Sequence, residues 1–143
     1  MIIDATDLVL GRLATVAAKK SLMNEEVKIV NCENAVITGN RKRILSDFKQ
    51  KYERGVPLKG PYFPKMPDRI VKRAVRGMLP YKKPKGREAY KRIKCYIGVP
   101  EELKGKSYET IEEANIKKLP NVKYVTIKEI SRFLGAKIYN KDI

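Results

Sequence analysis

The sequence of 143 residues has no histidine and no tryptophan, only two cysteines, and half as many acidic as basic side chains, 16 Asp and Glu against 32 Lys and Arg. Without histidine the chain lacks the commonest general base and the commonest metal ligand near neutral pH, which puts any enzyme reading at a disadvantage. Two cysteines neither make a disulfide framework nor fill a zinc site, which takes about four ligands. The opening Met-Ile-Ile-Asp has no basic region followed by an apolar signal segment, so secretion is not expected. No run approaches the roughly 18 consecutive apolar residues of a spanning helix, because charges interrupt each one. A soluble, cytoplasmic protein is the expectation.

What is present points in one direction. A hydrophobic content of 43% supports a core, and at this length one domain over residues 1–143 is expected. A formal charge of +16 makes a lone globular protein repel itself, so a polyanionic partner is expected, nucleic acid first and an anionic membrane surface second. The charge is also concentrated. Residues 41–94 hold 19 Lys and Arg against 4 Asp and Glu, whereas the rest of the chain is nearly balanced at 13 and 12. Charge added for solubility or thermal ion pairing would be spread out; a binding surface gathers it.

Periodicity gives the organisation. Ile2 and Ile3 end in polar residues, and Leu10, Leu13, Ala14, Ala17 and Ala18 follow at helical spacing up to Leu22, which reads as strand, loop, helix. Residues 27–32 and 35–37 read as strands, and Thr38-Gly39-Asn40 as a turn before a second helix carrying Ile44, Leu45, Phe48 and Tyr52 and stopping at Gly55. Such alternation argues for parallel strands covered by helices, an α/β layer fold. Residues 56–67 carry four of the eight prolines and read as an extended loop. A helix then opens at Pro67-Asp68, with a second basic loop over residues 81–87, a short helix toward Arg92 and a strand around Ile93, Cys95 and Ile97. In the tail, Thr110-x-x-Glu113 carries a capping-box signature; residues 122–125 suggest a strand, and Thr126-x-x-Glu129 opens a last helix ending near Gly135.

Few motifs carry chemistry. Neither a phosphate-loop nor a dinucleotide fingerprint occurs, and Gly11-Arg12 after the first strand reads equally as a phosphate contact or as a solvated arginine at a helix start. Cys32 and Cys95 lie in strand-like runs without a visible activating base, so they are expected to be buried, inert thiols. Asp4 and Asp7 are expected in turn or capping roles rather than as an acid–base pair. The helix from Pro67 is different. Val71, Ala74, Val75 and Met78 form an apolar stripe, and Arg69, Lys72, Arg73 and Arg76 a basic one of the same spacing on the opposite face. Asp68 is almost their sole acidic neighbour, so like charges repel unless a partner supplies phosphates. Tyr62, Phe63 and Tyr81 interleave with the charge, placed either to stack on unpaired bases or to pack in the core.

The string Val75-Arg76-Gly77-Met78-Leu79-Pro80 closely resembles the universal family of large-subunit ribosomal protein number thirteen. It is preceded by Gly60-Pro61-Tyr62 and Pro67-x-Arg69-Ile70 and followed by Lys82 and Gly86-Arg87. Ile3-Asp4-Ala5, Leu10-Gly11-Arg12-Leu13-Ala14 and Ile37-Thr38-Gly39-Asn40 match it too, in the family's order over about residues 1–100. The resemblance implies a three-layer α/β/α fold around a small parallel sheet. It also implies a structural, non-catalytic role in the large ribosomal subunit, with no cofactor, no metal and no small-molecule substrate. The implied partners are large-subunit ribosomal RNA and neighbouring ribosomal proteins, without a membrane.

By position the resemblance carries RNA contact to Arg69, Lys72, Arg73, Arg76, Lys82, Lys85 and Arg87, and further to Tyr62 and Arg12. Arg41, Lys59 and Lys83 of the same basic region complete the candidate RNA-binding set. The sequence departs from the bacterial pattern, which has histidines after the last central strand; here that place reads Gly98-Val99-Pro100 and a longer tail continues. The tail and the Gly-Pro-Tyr element look like the archaeal and eukaryotic branch, and the Lys-, Ile- and Glu-rich composition favours an archaeal source. Residues 101–143 are expected to form an extension packed on the domain or on a neighbouring ribosomal protein, and receive no RNA role. An RNA-processing enzyme and a free DNA-binding regulator remain the alternatives. The first needs an acid–base or nucleotide constellation that is not found, and the second a helix-turn-helix or dimer pattern that does not surround the basic helix.

Overall fold

The computed structural model describes residues 1–120 and 123–138. Strand β1 (Ile2–Asp4) leads into α1 (Leu10–Leu22), which returns the chain to β2 (Val27–Val30) beside β1 and parallel to it. Residues Leu10, Leu13, Ala14, Ala17, Ala18 and Ser21 of α1 are all buried, the single face that their spacing dictates. Strand β4 (Ile93–Cys95) completes a parallel sheet of order β1-β2-β4, with Val27 opposite Ile93 and Ile29 opposite Cys95. Ile3, Val27, Ile29 and Ile93 are fully buried in it, as expected for short parallel strands with helices packed around them.

Helix α2 (Arg41–Glu53) starts where the Asn40 side chain accepts a hydrogen bond from the Lys42 backbone N–H at 3.0 Å. Helices α3 (Pro67–Gly77) and α4 (Pro84–Arg92) each begin with proline, whose missing N–H costs nothing at that position. Helix α1 packs on both α3 and α4, and α3 also packs on β4. The structure is thus a small α/β fold, as the alternating pattern predicts.

Three particulars differ from the sequence reading. Strand β3 (Val36–Thr38) does not join the parallel sheet but pairs antiparallel with β5 (Tyr124–Thr126), Ile37 facing Val125. The tail supplies that partner, which local pattern cannot foresee. Second, the basic loop is shorter than residues 81–87, because Pro84 starts α4 and places Lys85 and Arg87 on a helix. Third, Thr110-x-x-Glu113 opens no α-helix; the chain there makes short 3₁₀ turns at Glu112–Ala114 and Ile116–Lys118. Backbone pairing with the body competes with helix formation in this stretch: Glu109 N–H donates to Ile2 O at 2.8 Å, Val9 N–H to Ala114 O at 2.8 Å and Ile116 N–H to Asp7 O at 3.0 Å. The second tail signature behaves as written, with the Thr126 hydroxyl accepting from Glu129 N–H at the start of α5 (Ile127–Phe133). Val122, expected in the strand before it, lies outside the described residues.

Asp4 closes a turn, accepting from the Thr6 N–H and hydroxyl and from Asn31 Nδ2 at 2.7–3.1 Å. Asn31 adopts a left-handed conformation that ends β2, so Cys32 sits in the following turn rather than in the strand. Its fully buried thiol donates to Ile29 O at 3.6 Å, and the neighbouring Cys95 side chain together with burial pushes its pKa well above the ordinary value. Iodoacetamide at about pH 8 is therefore expected to label the half-buried Cys95 before Cys32 in the folded chain, and both after denaturation. Equal labelling of the two in the folded state would refute this. The folded thiol holds its proton more tightly than the unfolded one, so its contribution to stability is whole below the ordinary value of 9.0 and is lost as pH rises through the folded value.

Candidate nucleic-acid interface

Helix α3 buries Ile70, Val71 and Val75 and leaves its basic side chains outward. Met78, expected on the apolar stripe, is exposed just past the helix end, and Leu79 is buried in its stead because the chain turns there. Among the described residues no ion pair reaches Arg69, Lys72, Arg73 or Arg76; the pairs that exist tie other positions, such as Lys49 to Glu53 and Arg92 to Glu88.

What holds these cations in place is aromatic. The Lys72 ammonium stands 4.8 Å from the centre of the Tyr90 ring of α4, the Arg73 guanidinium 4.8 Å from Phe63 and the Arg76 guanidinium 4.9 Å from Tyr81. Phe63 in turn meets Phe48 of α2 edge to face at 5.9 Å, and Lys51 caps the Phe48 ring at 5.2 Å. A ring face attracts a cation without consuming its hydrogen-bond donors, so the arginine forks are positioned yet still available. Phe63 and Tyr81 are accordingly engaged by protein cations, and Tyr62 remains exposed, its hydroxyl donating to Pro57 O at 2.7 Å.

Three shallow grooves run together here. One lies between Pro64, Arg69, Lys72, Arg73, Arg76 and Tyr90, a second is lined by Asp68, Arg69, Lys72, Lys94 and Cys95, and a third by Lys51, Arg54, Phe63 and Arg73. Arg69 and Arg73 link them into one basic track. Asp68 is the acidic exception, and its Oδ1 is buried without a hydrogen-bond partner among the described residues. Beyond the C-terminal end of α3, Lys82, Lys83, Lys85 and Arg87 are all exposed around the N-terminus of α4, whose first turn has no acidic residue. Cations at the positive end of a helix dipole are unfavourable neighbours unless an anion joins them.

The other sequence candidates are dispersed. Lys59 is exposed on the turn after α2. Arg41 is ion-paired with Glu129 of α5, and Arg12 donates from Nη1 to the Glu113 carbonyl at 2.8 Å, so both tie the tail to the body. Sequence reasoning missed Lys51, Arg54 and Lys94, which join the track through folding; for Lys51 the signal was its three-residue spacing from Phe48 on one face of α2.

A family profile described as Ribosomal protein L13 matches residues 1–102. The chain is 50% identical over 135 residues to Large ribosomal subunit protein uL13 of Archaeoglobus fulgidus, covering 94% of this chain and 86% of that protein. It is 50% identical over 137 residues to the protein of the same name from Methanosarcina barkeri, covering 95% and 98%. Its counterpart in Methanocaldococcus jannaschii is 47% identical over 140 residues, again covering 95% and 98%. These archaeal relatives align beyond the family profile into the tail.

Proposed function

Because the chain belongs to the ribosomal protein L13 family, we propose that it is a structural constituent of the large ribosomal subunit that grips ribosomal RNA through α3, the turn after it and the start of α4. Its family makes it a structural component and not an enzyme. The observation that carries the RNA reading is the row of α3 cations with no ion-pair partner among the described residues, each of Lys72, Arg73 and Arg76 seated on an aromatic ring. Cations aligned this way replace counterions along a phosphate backbone, and the guanidinium forks fix orientation by paired hydrogen bonds. The mechanism reads RNA shape more than sequence and supports subunit assembly. Residues 1–143 act as one domain with 101–143 as its extension, of which the stretch Glu109 to Ile116 is hydrogen-bonded to β1 and the turn before α1, and its setting is the cytoplasmic ribosome among neighbouring subunit proteins. No helix among the described residues is long and apolar enough to cross a membrane.

The test is sedimentation of a native lysate at low and high salt with the chain followed by mass spectrometry, alongside titration of the purified chain with large-subunit RNA. Near-stoichiometric migration with large subunits is expected. Neutralising about 6–10 phosphates predicts an isolated-chain affinity that falls roughly 10³- to 10⁵-fold between about 50 and 200 mM salt. Migration as a free protein under both conditions, or a flat salt response, would sink the proposal.

A further inference from the structure

Beside the basic track lies a cleft of about 650 Å³ between the proline-rich segment after α2 and the end of α5. Its apolar lining includes Tyr52, Val56, Pro61 and Tyr62, and its cations are Arg54, Lys65, Arg69 and Lys137, with Glu53 the acidic group. The volume is that of an ordinary small-ligand site. The cleft is built before anything enters it. One wall is a closed turn in which Gly60 N–H donates to Val56 O at 2.8 Å. Gly55 there has φ +93°, and a Cβ on it would lie 2.2 Å from Gly60 O, so the turn closes only with glycine. On the floor, the Lys65 ammonium stands 4.9 Å from the Tyr52 ring. The Ser131 hydroxyl donates to Lys65 O at 2.6 Å, and Ala136 N–H donates to Ser131 O at 3.0 Å, which locks the α5 wall onto the floor.

The walls also show what is missing. Tyr62 is 69% exposed and Leu58 at the turn's tip 94%. An exposed ring with cations at the rim is the combination that holds an unstacked base and its flanking phosphates. A protein segment would have to be acidic to match the rim. RNA is favoured because Arg69 belongs both to this cleft and to the grooves on α3, so a strand lying on the track runs into the opening.

We propose that this cleft receives an unstacked nucleotide of large-subunit RNA, its base against Tyr62 and its phosphates against Arg54, Arg69 and the tail's Lys137. This rests on the RNA-binding reading above and adds a discrete nucleotide site, with an RNA role for a tail residue.

The experiment uses the full chain and two RNA probes, native large-subunit RNA and a fully paired RNA duplex, and compares it with its Tyr62→Ala and Lys137→Glu variants. Each variant is expected to lose about 5- to 100-fold in affinity for the native RNA and little for the duplex. Ultraviolet irradiation of the unaltered complex should attach a nucleotide to the peptide carrying Tyr62. Unchanged affinity of both variants for native RNA, or equal losses on duplex and native RNA, would overturn the site while leaving the basic track standing. Cross-linking of Lys65 and Lys137 to another subunit protein in intact subunits, with no RNA adduct at Tyr62, would give the cleft to a protein and also overturn it. Failure of the unaltered chain to bind native RNA would remove the RNA reading itself and the nucleotide site with it.

Discussion

Replacing Arg73 and Arg76 together by glutamate is expected to lower affinity for large-subunit RNA about 100- to 1,000-fold and to reduce the slope of log affinity against log salt by about 2. Each arginine loses a charge-assisted phosphate contact, and each new carboxylate repels the same phosphate. The fold should survive, because Ile70, Val71 and Val75 on the opposite face of α3 keep the helix docked. The stability cost is confined to the ring contacts with Phe63 and Tyr81, about 0.5–1 kcal/mol each. A paired Arg73→Gln, Arg76→Gln variant separates the effects: it loses the charge without adding repulsion and should fall between the two. Filter binding across a salt series, with a thermal melt of each variant, checks this. An unchanged salt slope in the doubly reversed chain would mean that α3 does not face the phosphates.

Gly86→Ala is expected to destabilise the chain by about 3 kcal/mol, lowering Tm by about 10 °C, although alanine is the better helix former by about 1 kcal/mol. Gly86 is buried in the first turn of α4, and a Cβ there would lie 2.0 Å from Pro80 O and 2.8 Å from Tyr81 N. Both obstacles are backbone, in a turn held by Tyr81 N–H donating to Leu79 O at 2.8 Å and Lys83 N–H to Pro80 O at 2.9 Å. Making room moves the turn bodily. That withdraws the Tyr81 ring from under Arg76 and displaces Lys82 and Lys83, so RNA affinity should fall along with Tm. Gly77→Ala is the control, since nothing lies within 4 Å of its added carbon. Equal melting of the Gly86→Ala chain and the unaltered protein would show that the turn yields without cost.

The elements with strong local signals were legible in advance. Helix α1 has the bounds its apolar spacing gives, the helix at Pro67 and the cap at Thr126 work as their residue types dictate, and the opposition of basic and apolar stripes on α3 is a matter of 100° per residue. The α/β class follows from the alternation of those signals. The pairing of β3 with β5 did not follow, because strand partners some 90 residues apart leave no mark on local periodicity. The same limit explains Thr110, where a sound capping pattern loses to backbone hydrogen bonds with β1 and the turn before α1.

For the interface the division is sharper. Sequence by itself determined that the chain carries a concentrated positive surface, that α3 presents it, and that the chain resembles a ribosomal family, since charge and helical phase are local properties. Only the tertiary structure decided which aromatics serve it. Tyr90, Phe63 and Tyr81 come from three separate segments to seat three consecutive cations of α3, while Arg12 and Arg41, equally basic on paper, are turned to fastening the tail. The reason is physical: a charge is fixed by its residue type, but whether it meets solvent, a ring face or a carbonyl depends on what the rest of the chain packs beside it.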